Sequence, residues 1–155
     1  MTESQVLRED REQSRRAPGW SRASADEIAE RDALAAGAMM VLQAAGCPVQ
    51  LCPPDCDRER GYVLEVDPSD GEGGGVFLMW NPGGPTSELA TDAVRHGDLT
   101  QLAIRFHGEV AHAMTTAALK ILHAAGFTAV LADDDLRPYE LDIRAGSMDT
   151  LSWHL

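Results

Sequence analysis

The same helix ending occurs twice in this chain, 80 residues apart, and that repetition limits the fold more than any other feature. Val41-Leu42-Gln43-Ala44-Ala45-Gly46-Cys47 is answered by Ile121-Leu122-His123-Ala124-Ala125-Gly126-Phe127. In each, good helix formers run into a glycine, the residue best able to adopt the left-handed conformation that closes a helix. A short apolar run, a polar turn and an alternating segment follow both. Tyr62-Val63-Leu64-Glu65-Val66 and Tyr139-Glu140-Leu141-Asp142-Ile143 place Tyr, Leu and a β-branched residue on one face, because strand side chains alternate with period two. The expected fold class is therefore a two-layer α/β (α+β) domain. It is read as internally duplicated, with units at about 24–80 and 98–144, each a helix plus an antiparallel β-hairpin or meander.

A chain of 155 residues is long enough for one real core and short for two. No apolar stretch reaches the roughly 20 residues of a membrane-spanning helix. The first residues, with Glu3, Arg8, Glu9, Asp10, Arg11 and Glu12, lack the apolar centre of a secretory signal, so a cytoplasmic address and no membrane partner are expected. The net charge of -12 is unevenly spread: residues 1–23 carry +1 and residues 24–155 carry -13. Such a field repels phosphate backbones, which argues against a nucleic-acid partner. Lys120 is the only lysine beside 12 arginines.

Residues 1–23 mix charges without apolar periodicity and read as a flexible arm, in which Trp20 is a candidate docking anchor; residues 24–155 are read as the single domain. Ser24-Ala25-Asp26-Glu27 makes a capping box for a helix that runs to about Ala45, with Ile28, Ala35, Met39 and Leu42 on its apolar face. Strands at about 48–52, 61–66 and 75–80 are expected as an antiparallel meander, separated by a Pro-Pro-Asp turn and the Gly71–Gly75 loop. A short helix capped by Thr86 or Ser87 ends at His96-Gly97, and Asp98-Leu99-Thr100-Gln101 caps a longer one. Strands near 127–132 and 138–144 follow. The tail, Leu151-Ser152-Trp153-His154-Leu155, is apolar enough to dock.

The long helix is apolar on two sides. Leu99, Leu102, Phe106, Val110, Ala113, Ala117 and Ile121 form one stripe, expected to face the core. Ile104, Ala111, Ala118 and Leu122 form a second flank, expected to meet another chain together with Trp80 of the sheet. On that reading a Leu122→Glu change abolishes pairing and leaves the fold intact.

Cys47, Cys52 and Cys56 put three thiols within ten residues, and with a distant ligand such as His112 they are candidate zinc ligands. Their spacing does not match the usual two-residue knuckle, and buried thiols are the plainer reading. Glu109-Val110-Ala111-His112 has the Glu-x-x-His form of di-iron bundles, but those sites need two such motifs. His112 and His123 share a polar strip with Arg105 and Thr116. Asp133-Asp134-Asp135 reads as an acidic turn, since the calcium-loop spacing is absent. The glycines at 71–75 lack the Lys and Ser or Thr of a phosphate loop, and no nucleophile elbow is present.

The order helix, three strands, helix, two strands over residues 24–144, with the two Ala-Ala-Gly units, resembles the type III secretion chaperone-like and YbjN-like α/β proteins. The resemblance implies a homodimer that binds a segment of another protein on an apolar surface. The element order of 27–85 is also that of a double-stranded-RNA-binding domain, against which the acidic charge argues. The functional expectation is a non-catalytic, cytoplasmic, protein-binding adaptor or chaperone-like protein, dimeric, with another protein or itself as partner. Two alternatives stand beside it: a small metal or ligand binder using the cysteine turn, and an acidic inhibitor or nucleic-acid mimic.

Overall fold

In the computed structural model, residues 21–53, 56–97 and 102–147 are described. Trp20 and the arm before it, Pro54 and Asp55 of the Pro-Pro-Asp turn, the cap at 98–101 and the tail at 151–155 lie outside the described residues. Helix α1 spans Ala25–Ala44, α2 Gly84–Arg95 and α3 Leu102–Ala124. The strands are β1 Val49–Leu51, β2 Gly61–Asp67, β3 Gly75–Asn81, β4 Thr128–Leu131 and β5 Leu141–Ala145.

The capping box forms as the sequence predicts. Ser24 N–H donates to Glu27 Oε2 at 2.9 Å and Glu27 N–H donates to Ser24 Oγ at 3.2 Å, so two backbone donors that the first turn would leave unpaired are satisfied. The two repeated helix stops are also built alike. Gly46 and Gly126 sit at φ 82° and 83°, and Cys47 N–H and Phe127 N–H reach back to the carbonyls of Leu42 and Leu122, each at 2.9 Å. A Cβ on Gly46 would meet no atom within 4 Å, so the only cost of Gly46→Ala is conformational. The expected loss is about 1 kcal/mol in urea denaturation, and an unchanged midpoint would show that the turn tolerates an L-residue.

The five strands form one mixed sheet in the order β1-β2-β3-β5-β4. This corrects the expected antiparallel meander. β1 pairs parallel with β2, Val49 opposite Tyr62, because the connection over 52–60 carries the chain back to the start of β1 before β2 begins. Parallel pairing ordinarily needs a long crossover, but a strand of three residues is only about 10 Å long, and a loop can return over that distance. Gly61 makes the return possible: a Cβ there would lie 2.8 Å from the Pro48 carbonyl, which accepts from Tyr62 N–H at 2.9 Å. The other pairings are antiparallel, with β5 inserted between β3 and β4.

The likeness of the two units stops at the helix ends. The first is followed by a parallel edge strand, the second by a hairpin. Tyr62 is 2% exposed in the core, whereas Tyr139 is 48% exposed in the left-handed region at φ 61°. That turn delays β5 until Leu141, three residues after the predicted start, and Leu141 and Ile143 alone keep the expected inward face.

Both long helices pack on one face of the sheet. Ala35, Ala38, Val41 and Leu42 of α1 and Ala118 and Leu122 of α3 meet Tyr62, Leu64, Val76, Leu78, Ala129, Leu141 and Ile143. Half of the helix residues named are alanines, interleaved with Val41, Leu42 and Leu122, so small and large side chains alternate against the sheet. By alternation Val63, Glu65, Asp67, Phe77 and Met79 point to the other face, yet Val63 and Phe77 are buried. Arginines from two loops lie on this face. The Arg137 guanidinium lies 3.8 Å from the centre of the Phe77 ring, and Arg58 Nη1 lies 3.1 Å from Met79 Sδ.

Candidate functional site

The two apolar sides of α3 have exchanged the roles expected of them. Ala111, Thr115, Ala118 and Leu122, spaced four, three and four residues apart, are the buried stripe. Of the five residues expected to bind a partner, Ala118 and Leu122 have no exposed surface and Ala111 is buried. Ile104 and Trp80 are half-buried. Trp80 sits edge-on to Tyr62 with ring centres 4.9 Å apart, and its Nε1 is buried without a hydrogen-bond partner among the described residues.

Most of the stripe expected in the core faces outward instead, while Ile121 at its end packs partly against the core. Leu102 is 75% and Phe106 55% exposed, Ala113 and Ala117 are exposed, and Val110 and Ile121 are half-buried. At 3.6 residues per turn these positions fall on the side of α3 away from Ala111 and Leu122. Helix α2 packs on α3 and carries two exposed apolar residues of its own, Leu89 and Val94, each 57% exposed. Scattered apolar residues are normal on a surface, but four exposed ones at helical spacing on one face, Leu102, Phe106, Ala113 and Ala117, are not scattered. This outer face of α3 is the candidate site.

The polar strip beside it is mostly surface. Arg105, Glu109 and His112 are exposed, and His112 sets its ring edge-on to Tyr139, 6.3 Å between centres. His123 Nε2 lies 2.9 Å from the Ala129 carbonyl, which ties the end of α3 to β4. Thr115 Oγ1 donates to the Tyr139 carbonyl at 2.7 Å and helps hold that residue in its left-handed conformation.

The cysteine cluster divides. Cys52 and Cys56 are joined by a disulfide, and Cys47 is a separate, half-buried thiol. A disulfide sulfur is not a thiolate ligand, and His112 lies on α3. Among the described residues no three His, Cys, Asp or Glu side chains are grouped to hold a metal ion. Gln50 fixes the loop that carries the disulfide: its Nε2 donates to the Asp57 carbonyl and its Oε1 accepts from Glu59 N–H, each at 2.9 Å. Asp134 of the acidic triad has a local task, accepting from Leu136 N–H at 2.8 Å.

Behind the candidate face, Tyr62 bridges the layers by donating its hydroxyl to the Met114 carbonyl at 2.6 Å. Burial, with a smaller contribution from the Cys47 thiol, pushes the Tyr62 phenol up to about 12. A raised tyrosine favours its neutral form in the fold, so this stability is complete below the ordinary tyrosine value near 10 and is lost as pH climbs through about 12. Urea denaturation across that range should show the loss in the wild type, and a smaller one in Tyr62→Phe. Equal loss in both would assign it elsewhere.

Polar residues without an exposed counterpart in the sequence pattern occupy the far face of the sheet. Arg137 reaches Asp67 at 2.6 Å, Glu140 at 3.0 Å and Glu65 at 3.7 Å, while Arg58 reaches Glu65 at 3.2 Å. Burial alone would lower the Arg137 value, but Glu140, then Glu65 and Asp67, raise it above the usual arginine range. This network is a roof over Phe77 and Met79. Its arginines already bond protein carboxylates, so it offers an incoming anion little. No helix among the described residues is long and apolar enough to cross a membrane. Compared with protein-family models, with curated proteins and with solved structures, the chain matches none.

Proposed function

We propose that the chain is a non-catalytic, protein-binding adaptor or chaperone-like protein, dimeric, that buries the outer face of α3 against a protein surface. One observation carries the reading: Leu102 and Phe106, at 75% and 55% exposure, lead an apolar stripe on a helix whose opposite side is already occupied by the core. Covering such a stripe is favourable at about 25 cal/mol per Å² of apolar surface removed from water. The element order, helix, three strands, two helices and two strands, supports the same reading, since it is close to the order on which the resemblance to type III secretion chaperone-like proteins rests. Fold analogy alone does not assign an activity, and the exposed stripe bears the weight.

Native mass spectrometry of gently purified wild type and Phe106→Glu tests it. The expected spectrum shows a second chain, its own or another, on the wild type and none on the variant. Bare monomers in both samples would remove the reading.

A further inference from the structure

Resting on the reading of the outer α3 face as a protein-binding surface, we propose that its occupant is a second copy of this chain. The two α3 helices run antiparallel across a two-fold axis, and Glu109 of each copy pairs with Lys120 of the other.

Each residue advances about 100° round the axis, so Phe106, Ala113, Ala117 and Ala124 lie along the middle of the exposed stripe. Glu109 and Lys120 are 11 residues apart, which is about three turns, and both border the stripe along the same edge. The other edge is apolar and already half-covered by the chain itself: Ala103 is half-buried, and Met114 and Ile121 are half-buried against the core. When two such faces meet in parallel, each edge opposes the other kind of edge, and both charges would face apolar side chains. When they meet antiparallel, each edge opposes itself. Only then does an acid stand across from a base.

The register follows from the same two residues. Placing Glu109 opposite Lys120 puts the two-fold axis between positions 114 and 115. Ala113 is then level with Thr116 of the other copy and one residue from its Ala117, where small side chains allow the helices to approach closely. Phe106 falls beside Ala124 of the other copy, one large side chain against one small. A two-fold contact closes on itself, so the ion pair occurs twice and the assembly stops at two chains.

Charge selects this occupant over an arbitrary protein. Glu109 and Lys120 are exposed, and neither makes an ion pair with another described residue. Lys120 is the only lysine in a chain of net charge -12, and it stands within the last two turns of α3, beside its exposed apolar stripe. Two acidic chains repel at a distance. A reciprocal pair beside the contact offsets that repulsion locally and makes association depend on register.

Sedimentation equilibrium of the full chain, with far-UV circular dichroism to confirm folding, tests the proposal on five proteins. The wild type should be a dimer. Glu109→Lys and Lys120→Glu should each weaken it by about tenfold or more, because either change puts two like-charge contacts into every dimer. The double variant exchanges the ends of both pairs and should recover to within about threefold of wild type. A dimer indifferent to the single reversals, or not recovered by the double, overturns the pairing. A wild-type monomer also overturns it. Phe106→Glu separates the two ideas: a charge-insensitive dimer broken by Phe106→Glu leaves the face in use with a different register. A wild-type monomer that loses a co-purified chain on Phe106→Glu leaves the face to another protein.

Discussion

Leu122→Glu is expected to unfold the chain, and Phe106→Glu to leave it folded but unable to associate. Both residues lie on α3, and the sequence pattern assigns them the opposite duties. Leu122 has no exposed surface and packs with Val41, Leu42, Leu64 and Leu141 in the centre of the core. Truncating such a leucine to alanine costs about 3–5 kcal/mol through lost transfer energy and the cavity left behind. A carboxylate adds the cost of burying charge without a partner, and the sum approaches the whole stability of an ordinary domain. Phe106 is more than half exposed, and a surface change at a helix position ordinarily moves stability by less than about 0.5 kcal/mol. Thermal melts followed by circular dichroism decide between them. A Leu122→Glu variant with a native melt and lost association would place that side chain at an interface. An unfolded Phe106→Glu would place the outer stripe in the core.

The reversal shows how far the sequence could be read. Ser24 and Glu27, Gly46 and Gly126 announce the ends of the helices through contacts within a few residues, and they form as expected. Two apolar sides of the long helix are also legible. Which one is core is not, because Leu102, Phe106 and Val110 outweigh Ala111, Thr115 and Ala118 on any scale that scores hydrophobicity. The core takes Ala111, Thr115 and Ala118 together with Leu122, a mixture of small and large side chains that fills the space over the sheet, and that fit is not scored by hydrophobicity. β1 has a similar history. Its alternation says strand, but its direction depends on the path of residues 52–60 and on the close approach of Gly61 to Pro48, neither of which leaves a periodic trace. Glu65 and Asp67 alternate with Tyr62, Leu64 and Val66, so period-two reading assigns them to solvent. Both are covered by Arg137, a loop residue 70 positions beyond Asp67, and nothing around Arg137 distinguishes it from a surface arginine. The chemistry of the cysteine turn was ambiguous for the same reason: spacing alone does not separate a disulfide from a ligand pair.

That arginine makes the second large effect predictable. Arg137→Met keeps an apolar cover over Phe77 but removes the cation shared by Glu65, Asp67 and Glu140, all three with side chains at most 16% exposed. Removing one partner from a buried ion pair typically costs about 3–5 kcal/mol, because the charge left behind has already lost its water. The loss should depend on pH in a definite direction. Without Arg137, three carboxylates share one side of the sheet, and taking up a proton relieves both their repulsion and their desolvation. The folded variant then binds protons more readily than its unfolded chain does, so its deficit against wild type is largest near neutrality and shrinks as the solution is acidified. Arg137→Lys should fall between the two, since an ammonium keeps the charge but cannot lie flat on the Phe77 ring and fork to two carboxylates at once. Urea denaturation of the three proteins at neutral and mildly acid pH measures the difference. A deficit of the same size at both pH values would mean that Arg137 acts by covering Phe77 alone. A deficit that narrows in acid, with Arg137→Lys partly protected at neutrality, would mean that the far face of the sheet is held shut by charge.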